Sequence, residues 1–249
     1  ATTPVAKHGR LSVKGADLVD SKENKFQLRG ISTHGINWDV GSPYVNKKAF
    51  KTLRDDWGVN AIRLAMYTEE YNGYCSGGSQ AKLRKLVDKG VGYATDLGMY
   101  AIIDWHILSD GNPNKNKSQA KKFFTTMAKK YKNNKNVIYE ICNEPNGCSW
   151  KEIKSYATDI IKTIRKYDKK AVIIVGTPTW SQLGTDGTSN EVADSPIKGY
   201  KNIMYSLHFY ASEWAHNEYL PAKVAYARKK KLPIIVSEFG LSPASGDGA

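Results

Sequence analysis

Residues 137–145 read VIYEICNEP, a short apolar run that turns polar at its C-terminal end and stops at a proline. Valine, isoleucine and tyrosine dominate its first five positions, which is the composition of a strand covered on both faces. The pattern recurs along the chain. Strand candidates lie at 26–34, 60–66, 100–106, 137–144, 171–176, 203–210 and 233–240, and the runs AIID, AVIIV and PIIVS are almost as apolar as VIYEI. Between them, amphipathic stretches at 46–57, 79–97, 118–131, 149–167 and 218–230 predict helices. Several open on Ser or Asn in the N-cap role, and Gly98 follows the second as a stop signal. Residues 181–201, rich in Gly, Ser, Asp and Asn, read as a long loop.

Alternation at this spacing predicts an α/β fold on a parallel sheet, either an open doubly wound sheet or a TIM (β/α)8-type barrel. The position of the reactive residues separates the two. Strand ends carry His34, Arg63, Asp104, His106, Asn143, Glu144, His208, Tyr210 and Glu238, whereas strand starts carry almost nothing reactive. A barrel gathers every strand's C-terminal end into one site. No G-x-G-x-x-G or G-x-x-x-x-G-K-[ST] follows a strand, so the nucleotide-binding open sheet lacks its fingerprint. The barrel is the expected fold, as one domain over 1–249. Ahead of it, HGRLSVKGADLVDSKENKFQL has two short alternating runs around Gly and Asp turns, expected as a β-hairpin closing the barrel's bottom.

The net charge of +13 raises a nucleic-acid partner, but the lysines crowd helix-like stretches such as NKNKSQAKKFFTTMAKKYKNNK. There Phe123, Phe124 and Met127 form the apolar stripe and the lysines take the wet side, so no nucleic-acid partner is expected. No apolar run approaches the roughly 20 residues of a membrane span. The start ATTPVAKHGR lacks a signal-peptide pattern and is compatible with a mature secreted form. Of three cysteines, Cys75 and Cys148 are candidates for a disulfide in an oxidising compartment, and Cys142, inside an apolar run, for a buried free thiol. His34, His106 and His208 sit on separate strands, but without H-x-H or H-E-x-x-H spacing no metal and no cofactor are expected.

Paired carboxylates on two strand ends are the simplest apparatus for cleaving a glycosidic bond, and Glu144 and Glu238 are such a pair; an ordinary ion-pair role is the alternative. Their surroundings carry a resemblance. Asn-Glu-Pro on the fourth strand with IIVSEFG on the seventh, together with STHGINW, NAIRLAMY, IIDWH, MYSLHFY and TPTWSQ, resembles the bacterial-type endo-β-1,4-glucanases of glycoside hydrolase family 5, from about Leu11 to Ser242.

The resemblance implies a secreted, retaining enzyme acting on internal β-1,4 bonds of cellulose or mixed-linkage β-glucan. It makes Glu144 the acid/base and Glu238 the nucleophile, with Arg63 and Tyr210 holding Glu238. Asn143 would bind the sugar 2-hydroxyl, and His106 and His208 would bind sugar hydroxyls and tune the glutamates. His34, Trp38, Tyr67 and Trp180 would line the sugar cleft, the aromatic rings as platforms, with Trp214 bordering its other side. A mannanase or xylanase on the same scaffold, or a non-catalytic glucan-binding module, are the rivals. The family's barrel has eight strands, whereas this sequence reaches SPASGDGA after the seventh. The resemblance therefore implies an open barrel, poorly stable alone and completed by a complementing C-terminal fragment.

Overall fold

The computed structural model describes residues 2–39, 41–210 and 214–240, without the side chains of 209, 210, 214–217 and 237–240. Its centre is a parallel sheet of β3 (Gly30–Ser32), β4 (Ala61–Tyr67), β5 (Tyr100–His106), β6 (Val137–Glu140), β7 (Ile173–Val175), β8 (Ile203–Tyr210) and β9 (Ile234–Gly240), hydrogen-bonded in that order. Spatial order equals chain order, so the sheet has no switch point of the kind a doubly wound fold requires. This is the winding of a TIM-type (β/α) fold, with seven strands among the described residues.

The connections supply the helical layer: α2 (Lys47–Trp57), α3 (Gln80–Asp96), α4 (Lys117–Tyr131), α5 (Trp150–Arg165) and α8 (Trp214–Lys229). Asn46, Ser79 and Ser149 cap α2, α3 and α5 through their side chains, and Ser149 forms a full capping box with Glu152. Ser118 does not cap α4, which continues directly from a 3-10 turn at Pro113–Asn116. The expected loop at 181–201 contains a short helix, α7 (Glu191–Asp194), after a single turn, α6 (Pro178–Ser181).

Two strands are shorter than their apolar runs. Residues 25–26 stay with the hairpin, since Lys25 bridges Val19 and Phe26 N–H reaches Leu18 O at 2.9 Å, so β3 begins only at Gly30. The fourth run leaves the ladder before Asn143, whose N–H bonds Trp105 O at 3.2 Å, and Pro145 has no N–H to continue it. Glu144 therefore stands on the loop beyond the strand.

Side-chain alternation divides the core. Leu64, Met66, Ile103, Trp105 and Tyr139 face outward and pack under Phe123, Phe124, Met127, Tyr156 and Ile160 of α4 and α5. Ala61, Tyr100, Ile102, Ile138, Val172 and Met204 face inward near the strand starts. They meet Val5 of α1 (Pro4–His8) and Leu11 and Leu18, which flank and belong to the hairpin β1 (Ser12–Lys14) and β2 (Asp17–Val19). The hairpin closes the bottom, as its sequence predicts. Cys75, Cys142 and Cys148 are all free thiols, so the Cys75–Cys148 pairing is not formed. Burial pushes all three thiols up, Cys75 to about 12 and Cys148 to about 11, which leaves them poor nucleophiles. Among the described residues, no helix is long and apolar enough to cross a membrane.

Two glycines of α3 make opposite predictions from one chemical change. A Cβ at Gly90 would lie 2.5 Å from Leu64 Cδ2 in the packed core, whereas one at Gly92 meets nothing within 4 Å. Alanine gains about 1 kcal/mol over glycine inside a helix, and overpacking a core costs about 1–3 kcal/mol. Urea titration should show Gly92→Ala stabilised by up to about 1 kcal/mol and Gly90→Ala destabilised by a similar amount.

Candidate active site

Arg63 points inward from the middle of β4 and is 2% exposed. Its guanidinium grips Glu140 at the end of β6 bidentately, Nε to Oε1 and Nη2 to Oε2, both at 2.8 Å. Nη1 donates to Ser32 Oγ at 3.0 Å, and Nη2 also reaches Asn143 Oδ1 at 2.6 Å and Asp104 Oδ2 at 3.3 Å. Glu140, Asp104 and Asn143 are each fully buried. This is a charge-assisted network with planar, two-pronged recognition, a geometry lysine cannot reproduce.

From Asn143 the network continues to His106. The Asn143 amide donates to Ile107 O at 3.0 Å and faces His106 Nε2 at 3.2 Å. With Nε2 accepting, the proton of the neutral imidazole is on Nδ1, where it is donated to Asp104 Oδ2 at 2.5 Å. The outer side of the His106 ring packs on Tyr67 at 4.4 Å, and Tyr67 stacks with Trp38 at 4.5 Å and 29°. A Cβ on Gly35 would lie 2.8 Å from both aromatic rings, so the pair requires glycine at that position.

Glu144 lies across this crevice, its side chain 12% exposed, with Oε2 3.2 Å from His208 Nδ1. His208 is in turn in register with Glu238 on β9. Trp180, 47% exposed, is tied to the Glu144 loop by its N–H to Pro145 O at 2.9 Å. It sits in a turn where Thr179, Trp180 and Ser181 all have positive φ, and Ser181 Oγ donates to Asn143 O at 2.8 Å.

The structure thus brings Arg63, His106, Asn143, Glu144, His208, Trp38, Tyr67 and Trp180 to one rim. His34 stands apart from this network: it is exposed and its ring faces Tyr44 at 5.5 Å. The side chains of Glu238, Tyr210 and Trp214 lie outside the described residues. Their backbones end β9 and β8 and begin α8. Arg63 was expected to hold Glu238, but its described anionic partners are Glu140 and Asp104. Glu140 was missed in the sequence, although a carboxylate inside an otherwise apolar buried strand demands a partner.

The cellulase (glycosyl hydrolase family 5) model matches residues 19–249. The chain belongs to glycosyl hydrolase family 5. It is similar to endoglucanase A of Butyrivibrio fibrisolvens, 48% identical over 97% of this chain and 54% of the relative, and to an endoglucanase of Clostridium saccharobutylicum, 51% identical over 96% and 51%. The chain spans about half the length of the curated relatives it matches. Among solved structures, the cellulase Cel5C_n superposes with a TM-score of 0.92 at 41% identity, covering 99% of this chain and 75% of that one. A point variant of the Thermobifida fusca endoglucanase Cel5A catalytic domain, in complex with cellotetraose, gives 0.88 at 41%, covering 99% and 79%.

Two ion pairs separate burial from mere proximity. Glu140→Gln leaves the Arg63 charge inside the protein with less compensation and should cost about 3 kcal/mol of stability. Lys117→Gln breaks the partly exposed pair with Asp159 at 2.7 Å and should cost less than about 1 kcal/mol. Chemical denaturation of both variants checks the contrast.

Proposed function

We propose that the protein hydrolyses internal β-1,4-glucosidic bonds of cellulose or mixed-linkage β-glucan by double displacement with retention. The observation that carries this reading is Glu144 beside His208, with Glu238 in register with His208 on the neighbouring strand. Two carboxylates enter one crevice from adjacent walls. Glu144 protonates the leaving oxygen while Glu238 attacks the anomeric carbon; Glu144 then takes a proton from the water that hydrolyses the glycosyl-enzyme.

The surrounding residues suit that chemistry. Asn143, oriented by Arg63 and Ile107 O, presents polar atoms beside the acid/base, where the sugar 2-hydroxyl passes. Trp38, Tyr67 and Trp180 offer flat faces to the axial C–H groups of β-linked glucose. Cellotetraose in the Thermobifida fusca structure supports a β-1,4-glucan chain as the occupant here. Tyr210 supports the nucleophile, and His34 and Trp214 contact the chain farther out. A polymeric substrate places the enzyme outside the cell.

Reducing-sugar release tests this directly, with carboxymethylcellulose cleaved in preference to mannan and xylan. Cleavage of mannan or xylan instead would move the protein to a different substrate. Proton NMR should show the β-anomer as the first product, because carboxyl groups about 5 Å apart enforce retention. Glu238→Gln should lower kcat by at least about a hundredfold while leaving oligosaccharide binding intact, since it removes a covalent step and few ground-state contacts. A chelator should leave the rate unchanged, as two carboxyl groups suffice for the chemistry.

A further inference from the structure

In this fold each helix runs back against its strand, so helix C-termini and the connections into the next strand lie on the face opposite the crevice. From α4 onward those connections are loaded with cations. They read KKYKNNK at 129–135 before β6, KYDKK at 166–170 before β7, KGYK at 198–201 before β8 and RKKK at 228–231 before β9. All thirteen lysines and arginines in these segments are exposed. Their one carboxylate, Asp168, is 1% exposed and bound to Tyr139 OH and the Ala171 N–H, so it faces inward.

The four connections form one surface. Lys129 Nζ lies 5.0 Å from the Tyr167 ring centre, Arg165 donates to Lys201 O at 2.9 Å, Asn202 donates to Lys170 O at 2.9 Å, and Tyr205 N–H reaches Pro233 O at 2.8 Å. Helices in contact pack about 8–10 Å apart, so the stripe runs on the order of 30 Å. Cations at helix C-termini are favoured by the macrodipole within the last turn, which accounts for Lys129 or Lys229 but not for the loop lysines beyond. The first half of the same face differs. There the ends of α2 and α3 carry Asp55 and Asp96, paired with Arg54 and Lys47.

We infer that this stripe docks an acidic polysaccharide, a polyuronate chain, while the crevice on the opposite face stays open. Lysines are mobile point charges suited to many spaced carboxylates, whereas specific base recognition favours the planar fork of arginine. Single-stranded nucleic acids need exposed aromatic platforms, but Tyr131 is buried and Tyr167 and Tyr226 are partly covered by lysines. A stiff duplex, with a persistence length of about 50 nm, follows a convex stripe poorly.

Affinity electrophoresis on polygalacturonate across a range of salt concentrations tests this. Replacing Lys166, Lys169, Lys170 and Lys201 together by Gln should weaken retention about tenfold and flatten its salt dependence, because each released counterion contributes to the slope. Replacing Lys48, Lys82, Lys85 and Lys89 by Gln, an equal change in net charge on exposed sites of α2 and α3, should change retention less than about twofold. Equal losses for both sets would reduce the effect to net charge and overturn the proposal, as would retention insensitive to either set. Tighter binding of a DNA or RNA oligonucleotide through the same four lysines would overturn it in favour of a nucleic-acid partner. Cleavage of soluble cello-oligosaccharides is measured alongside and stays at the parental level in both sets. A parent that does not cleave them refutes the proposed hydrolysis and leaves the docking result standing.

Discussion

Arg63 is an arginine almost without solvent, holding a carboxylate with two parallel hydrogen bonds of 2.8 Å and lying 3.3 Å from a second. Burying an ion costs several kcal/mol even after relaxation, so such a cluster survives only where the geometry is close to ideal. Here the guanidinium joins Ser32 after β3, Asp104 on β5, Glu140 on β6 and Asn143 on the following loop, crossing four walls of the fold from β4. The inward-facing layer below it is apolar and plugged by the hairpin. Arg63 and its partners are therefore where the inside of the sheet changes from packing to chemistry.

That anchor fixes Glu144 indirectly. Asn143 is held at both ends of its amide, by Arg63 on the oxygen and by Ile107 O and His106 on the nitrogen, so the next residue has little freedom. The other side of the peptide is held as well: Ser181 donates to Asn143 O, and a Cβ on Gly176 would come within 2.1 Å of Cys142 O. Three consecutive non-glycine residues with positive φ cost of order 1–3 kcal/mol each. The hydrogen bonds from Trp180 N–H and Ser181 Oγ to the Glu144 loop offset part of that strain. An acid and an aromatic platform are thus positioned by one piece of backbone.

How much of this was legible follows from the range of the forces. Caps at Asn46, Ser79 and Ser149, the apolar strands and the hairpin depend on neighbours a few residues away, and their signals were readable directly. The polar strand ends foretold a shared rim because barrel winding leaves no other arrangement. Glu140 was not readable, since its meaning comes from an arginine 77 positions earlier. The end of the fourth strand was overestimated because apolarity continues through Ile141 and Cys142 after the ladder has stopped. The proposed cysteine pairing rested on count and compartment, neither of which positions two sulfurs.

Charge shows the same limit more sharply. Periodicity places each lysine of α4 on the wet side of its own helix, and a single helix supports no further statement. Only the winding shows that consecutive helices end on one face, so wet sides that are unremarkable singly become one continuous cationic surface. The winding that gathers carboxylates, imidazoles and aromatic rings at the strand ends also gathers ammonium groups at the helix ends. Catalytic residues at the first face must be desolvated and fixed, which the Arg63 network accomplishes by burial. Groups at the second face stay hydrated and mobile, and act together because their spacing is comparable to the Debye length of about 8 Å. The opposite physical demands of the two faces are met by placing them at opposite ends of the same strands.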